Sequence, residues 1–325
     1  MSHLPSLTDS TVTVVTPTLH RPREVAQLLN DLARQSSLPH EVIVVDGAPA
    51  GSGDTEAVVA ARASHLPFHC TYIRRDGGTA VQRNAGIDAA HGDFIAFIDD
   101  DIRLEPRFFE VVQAAFEGDE HRQIGGIAGY ITNAHIDPRT SPRWRWYRRL
   151  RLFTTYEPGR YDFASGYPIN RYLQPPHDGL REVDVIGAGC AVWRKEVFAS
   201  GLRFSPFFAG FGVLEDAHLA LRAGRHWKLL ECGGARCVHL RSPAGRVSSR
   251  VLARKTAVNY RYVFMDVVPT RTWRQELRFW RVQGFDLLRT LAYAVRRRRR
   301  TDWLTVIGKA EGIIQALHLR PAAHE

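Results

Sequence analysis

The sequence has few cysteines, and their spacing does not suggest a zinc site. The four are Cys70, Cys190, Cys232 and Cys237 in a chain of 325 residues, and none forms a Cys-x-x-Cys pair. A zinc site of that type is therefore not expected. So small a number predicts free structural thiols in a reducing compartment.

Long apolar runs are also missing. The longest stretch without Asp, Glu, Lys or Arg is 14 residues, 123–136, and it is rich in Gly, Thr and Asn. A membrane-spanning helix needs about 20 apolar residues, so none is expected. The N-terminus lacks a basic segment followed by an apolar one, so we expect no signal peptide and a cytoplasmic protein.

Lysine is scarce as well, and the positive charge is unevenly placed. Only 4 of the 44 basic residues are lysine, and the formal net charge is +10. Residues 241–325 contain 18 basic and 6 acidic side chains, whereas residues 1–240 contain 26 and 28. A basic C-terminal region indicates an anionic partner, which is a phospholipid surface, a nucleic acid or a pyrophosphate.

Hydrophobic residues make up 44% of the chain and charged residues 24%, as in ordinary globular proteins. Short apolar strands alternate with helical patterns over the first 130 residues. Strands are predicted at Thr11–Thr16, Val42–Val45, Thr71–Ile73 and Phe94–Ile98. This order predicts an α/β fold with a doubly wound, mostly parallel sheet.

The pattern becomes less regular after residue 130. We predict a strand at Val183–Trp193, a helix at Leu214–Ala223 that Gly224 ends, and a last strand at Ala235–Leu240. From about residue 241 the pattern is helical only. The predicted division is one domain at 1–240, with halves of about 11–130 and 131–240, and a basic helical region at 241–325.

Two predicted strand ends carry aspartate, namely Asp46 and the triplet Asp99-Asp100-Asp101. Ligands of such sheets bind at the carboxyl ends of the strands. Adjacent carboxylates repel one another, and in extended chain Asp99 and Asp101 point the same way. Hard oxygen ligands suit Mg²⁺ or Mn²⁺, so the triplet predicts a metal site. The alternative is a solvated acidic turn that caps the next helix.

The turn after the first strand is Thr16-Pro17-Thr18, with no Gly-x-Gly-x-x-Gly and no Walker loop. This argues against a Rossmann dinucleotide site. A sheet that binds a nucleotide without those loops needs another way to hold the pyrophosphate, and a metal on carboxylates provides one.

These residues resemble family 2 of the inverting glycosyltransferases, which have the GT-A fold. The resemblance rests on Thr16-Pro17-Thr18, the Val-Val-Asp-Gly ending at Gly47, Gln82-Arg83-Asn84-Ala85-Gly86 and the aspartate triplet. It continues in Gly187–Phe198 and in Glu215–Arg222, so that it covers roughly residues 11–240 in the family's order.

The resemblance implies a role for each matched residue on the donor side. The nucleoside would be held by Thr16, Pro17, Thr18, Asp46 and Arg83, and Asp100 would contact the ribose or the donor sugar. Asp99 and Asp101 would face the metal and the diphosphate, and His239 would complete the metal site. Without the resemblance, each has a simpler interpretation: a strand-end turn for Thr16–Thr18, a loop cap for Asp46, an exposed helix residue for Arg83 and a structural role for His239.

On the acceptor side, the resemblance makes Asp216 the general base, with Glu215 beside it binding the acceptor or bracing the loop. Gly187, Gly189 and Trp193 belong to the acceptor-side segment. Neighbours on a helix point about 100° apart, so only one of the two acids aims into a given pocket. Acids are also common in the first turn of any helix.

The C-terminal region contains two apolar helical stripes next to arginine. Leu277, Trp280, Leu288, Leu291 and Val295 form the first stripe, and Arg296–Arg300 follows it. The second stripe is formed by Trp303, Val306, Ile307, Ala310, Ile313, Ile314 and Leu317. Basic amphipathic helices of this kind lie in membrane interfaces. The alternative is a pair of helices packed on the catalytic domain, joined by an exposed basic link. The basic and aromatic segment Arg143–Phe153 suggests a similar choice between an acceptor or lipid contact and a partly packed loop.

Together these observations predict a metal-dependent inverting glycosyltransferase that uses a UDP-, dTDP- or GDP-sugar. The expected acceptor is a cell-surface glycan or its lipid-linked precursor, at the inner face of the plasma membrane. One alternative is a soluble transferase for a small natural product or peptide. Another is a nucleic-acid-binding protein that uses its arginine-rich tail, although this leaves the carboxylates on the sheet unexplained.

Overall fold

The computed structural model describes residues 10–210, 212–241 and 247–320. They form two compact units, one of residues 10–135 and 174–241, and the other of residues 136–173 and 247–320. Residues 136–173 belong to the second half of the predicted domain at 1–240, whereas the structure groups them with the C-terminal helices in one compact unit. The division of function at residue 240 stays a prediction.

The first unit contains a nine-stranded sheet, and the predicted α/β fold with a mostly parallel sheet is confirmed. Its strands are β1 (Val12–Thr18), β2 (Glu41–Asp46), β3 (His69–Arg74), β4 (Phe94–Ile98), β5 (Ile102–Leu104), β6 (Ile124–Ile131), β9 (Leu180–Glu182), β10 (Cys190–Arg194) and β11 (Lys228–His239). The order is β3-β2-β1-β4-β10-β6-β11-β5, and β9 pairs with β11. Strands β5, β9 and β10 run against the others.

The central strands β1, β2 and β4 are buried along their whole length, as expected for a parallel sheet with both faces covered. The helices of this unit are α1 (Pro22–Leu32), α2 (Asp54–Ala63), α3 (Thr79–Ala89), α4 (Phe108–Glu117), α6 (Glu196–Ala199) and α7 (Glu215–Ala223). In α1 the predicted apolar face is the buried one, formed by Val25, Leu28, Leu29 and Leu32. The hydrophobic periodicity therefore identifies the packed face of this helix.

The strand predicted at Val183–Trp193 is shorter in the structure and begins only at Cys190. Residues 190–194 pair with β4 on one side and 191–193 pair with β6 on the other. Of the preceding residues, Gly187 lies next to Asp216 and Gly189 lies next to Asp99. The last strand, in contrast, begins at Lys228, seven residues before its predicted start, because it pairs with β6 from residue 228 onwards.

The second unit contains a hairpin and four helices. Its elements are α5 (Pro142–Arg149), β7 (Tyr161–Asp162), β8 (Tyr167–Pro168), α8 (Ser249–Val267), α9 (Trp273–Arg297) and α10 (Arg300–Leu317). Its core is aromatic: Trp144, Tyr147, Phe153 and Tyr167 cluster with Val282 of α9. The basic segment around Arg143 is thus partly a packed helix. In the described parts of the chain, no helix combines the length and apolar character that a membrane crossing requires.

A buried carboxylate joins three of these helices. Asp286 of α9 accepts a hydrogen bond from Tyr147 Oη of α5 at 2.6 Å. Three cations also approach it: Arg289 Nε at 3.3 Å, and Arg143 Nη2 and Lys309 Nζ, each at 3.5 Å. Burial alone would raise the pKa of Asp286, but these cations, Arg143 first, hold it below its ordinary value. The carboxylate therefore stays ionised and fixes how α5, α9 and α10 face one another.

Candidate active site

The strand register brings the predicted site residues of β1 and β2 together at one edge of the sheet. Thr18 at the end of β1 pairs with Asp46 at the end of β2. Strand β4 lies on the other side of β1 and leads directly into the aspartate triplet. The sequence prediction that Asp46 and the triplet share one edge therefore agrees with the topology.

Asp46 is fully buried, and its carboxylate has two donors. The backbone N–H of Ala48 donates to Oδ1 at 2.9 Å, and Tyr72 Oη donates to Oδ2 at 3.1 Å. Burial, and then the Asp46 carboxylate, raises the pKa of the Tyr72 phenol to about 12. The hydrogen bond from the Ala48 N–H fits the simpler interpretation of Asp46 as a loop cap. Tyr72 reaches this group from β3, and no motif pointed to it.

Thr16-Pro17-Thr18 is the buried end of strand β1 and not the turn expected from the sequence, and it is held by a side chain of α3. Gln82 Nε2 donates to the carbonyls of Thr18 at 2.7 Å and Val45 at 2.9 Å, and so joins the ends of β1 and β2. Thr16 Oγ1 is buried without a hydrogen-bond partner in the described parts of the chain. A buried hydroxyl with no partner is costly, which makes Thr16 a candidate for a ligand contact.

The three aspartates of the triplet have three different partners. Asp99 Oδ1 accepts from Arg83 Nη2 at 2.9 Å. Asp100 accepts from Thr18 Oγ1 at 2.7 Å and from Arg21 Nη1 at 2.8 Å. Asp101 Oδ1 lies 3.2 Å from His239 Nε2.

The prediction that Asp99 and Asp101 point the same way because the chain is extended is wrong. The backbone N–H of Ile102 donates to the carbonyl of Asp99 at 3.0 Å, so the triplet forms a turn. Arg21, which no motif indicated, lies between Asp100 and Asp101, 3.8 Å from the latter. Burial raises the pKa of Asp100 to about 6, although Thr18 and Arg21 oppose the shift.

Arg83 is a buried bridge and not an exposed helix residue. Its Nη2 contacts Asp99, and its Nη1 donates to Glu215 Oε1 at 3.1 Å. The guanidinium also lies over the ring of Phe204, with 5.6 Å between the guanidinium carbon and the ring centre. This one side chain joins the aspartate triplet to the Glu-Asp pair of α7.

A glycine contact aligns the two helices that carry this bridge. Gly78 precedes α3, and a Cβ at this position would lie 1.6 Å from the carbonyl oxygen of Gly210. Gly210 N in turn donates to the carbonyl of Gly77 at 2.6 Å. Only glycine permits this approach, and the φ of 88° at Gly78 also favours glycine at that position.

Glu215 and Asp216 are the first two residues of α7 and have different hydrogen-bond partners. Glu215 is buried against Arg83, and Thr79 Oγ1 lies 3.3 Å from its Oε1. Asp216 accepts hydrogen bonds from the backbone N–H groups of Ala217 and Ala188. Burial first, and then the charge of Glu215, raises the pKa of Asp216. A carboxylate with a raised pKa is a better proton acceptor than an ordinary one.

Residues 187–189 lie between the triplet and Asp216. A Cβ at Gly189 would stand 2.6 Å from Asp99 Oδ2, so this position has no room for a side chain. A Cβ at Gly187 would stand 3.4 Å from Asp216 Oδ2, which is ordinary contact. Trp193, predicted on the acceptor side, is 1% exposed and packs against Phe198, so it is not placed to contact an acceptor.

His239 ends β11 and is fixed by backbone contacts. The backbone N–H of His239 donates to Asn133 Oδ1 at 3.1 Å, and Asn133 Nδ2 donates to the backbone carbonyl of His239 at 2.9 Å. The hydrogen bond to Asp101 raises the pKa of the His239 imidazole. Asp101 and His239, both predicted to be metal ligands, are therefore in contact with each other.

The predicted metal set is only partly assembled. In the described residues no group of three His, Cys, Asp or Glu side chains is placed to hold an ion, because Asp99 turns to Arg83. Asp101 and His239 fit a divalent cation as a pair. Their 3.2 Å separation is close to the ~3 Å expected between neighbouring ligands of an octahedral ion with bonds of ~2.1 Å. With two protein donors, the remaining coordination positions of such a cation would be filled by oxygens of the donor and by water.

Comparisons with known proteins agree with this geometry. The sequence model of the family described as Glycosyl transferase family 2 matches residues 13–173. An uncharacterized glycosyltransferase of Bacillus subtilis, YwdF, is 27% identical over 178 residues, which are 53% of this chain and 62% of that protein. An uncharacterized glycosyltransferase of Haemophilus influenzae is 31% identical over 106 residues, 33% of this chain and 34% of that protein. The chain thus matches less than two thirds of each of these relatives.

Two solved structures share the fold at low identity. The mannosyltransferase PcManGT from Pyrobaculum calidifontis, in complex with GDP-Man and Mn²⁺, has a TM-score of 0.56 at 16% identity, over 95% of this chain and 87% of that one. GalNAc-T7 with UDP, GalNAc and Mn²⁺ has a TM-score of 0.59 at 13% identity, over 84% and 51%. Residues 13–173, just under half of the chain, thus match glycosyl transferase family 2, and the chain has the GT-A fold.

Proposed function

We propose that this chain transfers a sugar from a nucleotide-diphosphate donor to an acceptor hydroxyl, with inversion at the anomeric carbon. The observation that carries this proposal is the buried Arg83 bridge. Arg83 joins Asp99 of the triplet to Glu215, the neighbour of Asp216. The side chains for the donor diphosphate and for the acceptor proton therefore belong to one connected site.

The proton acceptor in this proposal is Asp216. Its carboxylate is held by two backbone N–H groups and faces the side of residue 187, where glycine leaves access. The ionised carboxylate takes the proton of the acceptor hydroxyl, and that oxygen attacks the anomeric carbon from the face opposite the diphosphate. Glu215 is occupied by Arg83, which fits a bracing role and leaves Asp216 as the base.

The donor would lie along the edge formed by Thr16–Thr18, Asp46 and the triplet. The unpartnered Thr16 hydroxyl and the Asp46 carboxylate are the groups nearest the nucleoside in this arrangement. Asp101 and His239 would hold Mn²⁺ or Mg²⁺, which supplies positive charge to the departing diphosphate. UDP-, dTDP- and GDP-sugars all meet these requirements. The acceptor we propose is a cell-surface glycan or its lipid-linked precursor.

The direct test is a panel of sugar nucleotides with and without Mn²⁺. A true donor should raise the melting temperature only when Mn²⁺ is present, because a ligand that binds the folded state stabilises it. The same donor should be hydrolysed slowly in the absence of acceptor. If no sugar nucleotide shifts the melting temperature or is hydrolysed, the proposed function is wrong.

The role of Asp216 has its own test. Asp216→Asn keeps the shape of the side chain but cannot take the proton, so transfer should fall by about 10²–10⁴-fold while donor binding survives. Asp54→Asn is the matched control, because Asp54 also lies in a helix first turn but is exposed. An active Asp216→Asn enzyme together with an inactive Glu215→Gln enzyme would reverse the assignment.

A further inference from the structure

Helix α9 turns an apolar stripe towards solvent. Trp273, Leu277, Trp280, Leu288, Leu291 and Val295 recur at helical spacing and share one face, and all of them except the half-buried Trp280 are exposed. Trp273 is 70% exposed and Leu288 is 66% exposed. The stripe extends over about 33 Å at a rise of ~1.5 Å per residue. The helix packs through another face, with Phe279, Val282 and Asp286 buried.

Arginines follow this exposed stripe along one side. They are Arg274, Arg278, Arg281 and Arg296, each directly after a stripe residue and therefore about 100° further round the helix. Arg289 follows Leu288 in the same way, but its guanidinium contacts the buried Asp286. The helix thus has three faces: one packed in the unit, one apolar and exposed, and one lined with arginine. Packing within the unit explains only the first of these faces.

Helix α10 also exposes apolar side chains, although it lacks an arginine flank of its own. Trp303, Ile307, Ile314 and Leu317 are exposed on it, and Arg296–Arg300 joins the two helices. The described residues of this unit, 136–173 and 247–320, contain 24 basic and 8 acidic side chains, a net charge of +16. The exposed apolar residues therefore lie in a strongly positive unit.

We propose that the face formed by the α9 stripe, its arginine flank and the exposed residues of α10 binds an anionic phospholipid surface. The apolar side chains would enter the boundary between head groups and acyl chains, and the arginines would contact the phosphates. This goes beyond the proposed transfer reaction, because it needs neither donor nor acceptor.

Other partners fit this surface less well. Two copies of the chain would bring two units of +16 together, and that repulsion opposes a dimer through this face. A nucleic acid would use the arginines but would leave the exposed Leu and Val side chains without a role. An anionic lipid surface uses both the charge and the apolar stripe.

The first experiment tests the apolar part. Full-length protein is sedimented with vesicles of phosphatidylcholine alone and of phosphatidylcholine with phosphatidylglycerol. Wild type should bind only the anionic vesicles, and Trp273→Ser with Leu288→Ser should weaken binding by roughly tenfold or more. Leu38→Ser is the matched control, since Leu38 is an exposed leucine of the first unit.

The second experiment tests the charge. Each arginine near an anionic surface contributes about fivefold to the partition coefficient, so Arg278→Gln with Arg281→Gln should weaken binding about 30-fold. Arg34→Gln with Arg62→Gln removes the same charge from the first unit and should leave vesicle binding nearly unchanged. Salt should weaken the wild type as well.

The outcomes are distinct. Loss of vesicle binding in both stripe and arginine variants, with sugar-nucleotide binding intact, supports the proposal. Wild type that does not bind anionic vesicles overturns it, even if the protein proves to be an active transferase. A concentration-dependent dimer that Leu288→Ser dissociates would identify a second copy as the occupant. Salt-sensitive DNA binding without vesicle binding would identify a nucleic acid.

Discussion

Replacing Arg83 by methionine should destabilise the first unit strongly and also stop the reaction. Met keeps the length of the side chain but removes the charge from between Asp99 and Glu215. The Arg83 side chain is 5% exposed, and that of Glu215 is 11% exposed, so Glu215 would lose its buried partner. Removal of one member of a buried ion pair costs about 3–5 kcal/mol, since the other charge stays uncompensated. The Asp99 side chain is 32% exposed, so water can hydrate it once Arg83 is replaced. We therefore expect a loss at the lower end of this range, about 3 kcal/mol.

The assay is chemical denaturation at neutral pH, read as the free energy of unfolding. Arg107→Met is the matched control, because Arg107 pairs with Glu110 at 2.6 Å on the surface, where the loss should be about 1 kcal/mol or less. Adding Glu215→Gln to Arg83→Met should recover part of the loss, because it removes the uncompensated charge. If Arg83→Met and Arg107→Met lose equal stability, the buried bridge does not contribute as argued.

Three other changes test the site. Gly189→Ala places a Cβ 2.6 Å from Asp99 Oδ2 and should lower turnover by about a hundredfold through misplacement of that carboxylate, whereas Gly179→Ala, with open space around it, should have no effect. His239→Ala should raise the Mn²⁺ concentration needed for half activity, and excess Mn²⁺ should partly restore the rate; His91→Ala, exposed at the surface, should change neither. The raised pKa of Asp216 predicts that the rate falls as pH drops through a value above the ordinary aspartate range, since only the ionised form accepts the proton; an acid limb at the ordinary value would contradict this.

Local patterns in the sequence predict much of the fold. The burial of β1, β2 and β4, the packed face of α1 and the parallel arrangement follow from β-branched runs and helical spacing, which depend on neighbours in the chain. The end of β4 at Ile98 and the start of α7 at Glu215 were also predicted closely. These features also predict which site residues follow which strand at the edge of the sheet.

The contacts within the site were not predictable in this way. Arg83 was a motif residue with an exposed helix position as its alternative, and its burial depends on Glu215, 132 residues later in the chain. The triplet looked extended by analogy with a strand, but its turn is set by β5, which pairs with the distant β11. Arg21 and Tyr72 belong to no pattern at all. Pairing over such sequence distances is a property of the tertiary structure.

Asp286 bears on how α9 can be rotated about its own axis. An isolated helix with the α9 sequence would gain most by burying Trp273, Leu288 and Val295 and leaving Asp286 in water. In the protein that rotation would withdraw the carboxylate from Tyr147, Arg143 and Lys309, and the cations would be left close together without their shared anion. Together with the buried Phe279 and Val282, this acid therefore holds the orientation of a 25-residue helix. Substitutions at Asp286 should therefore be tolerated only together with changes in its cationic partners, because the exposure of the apolar stripe depends on them as a group.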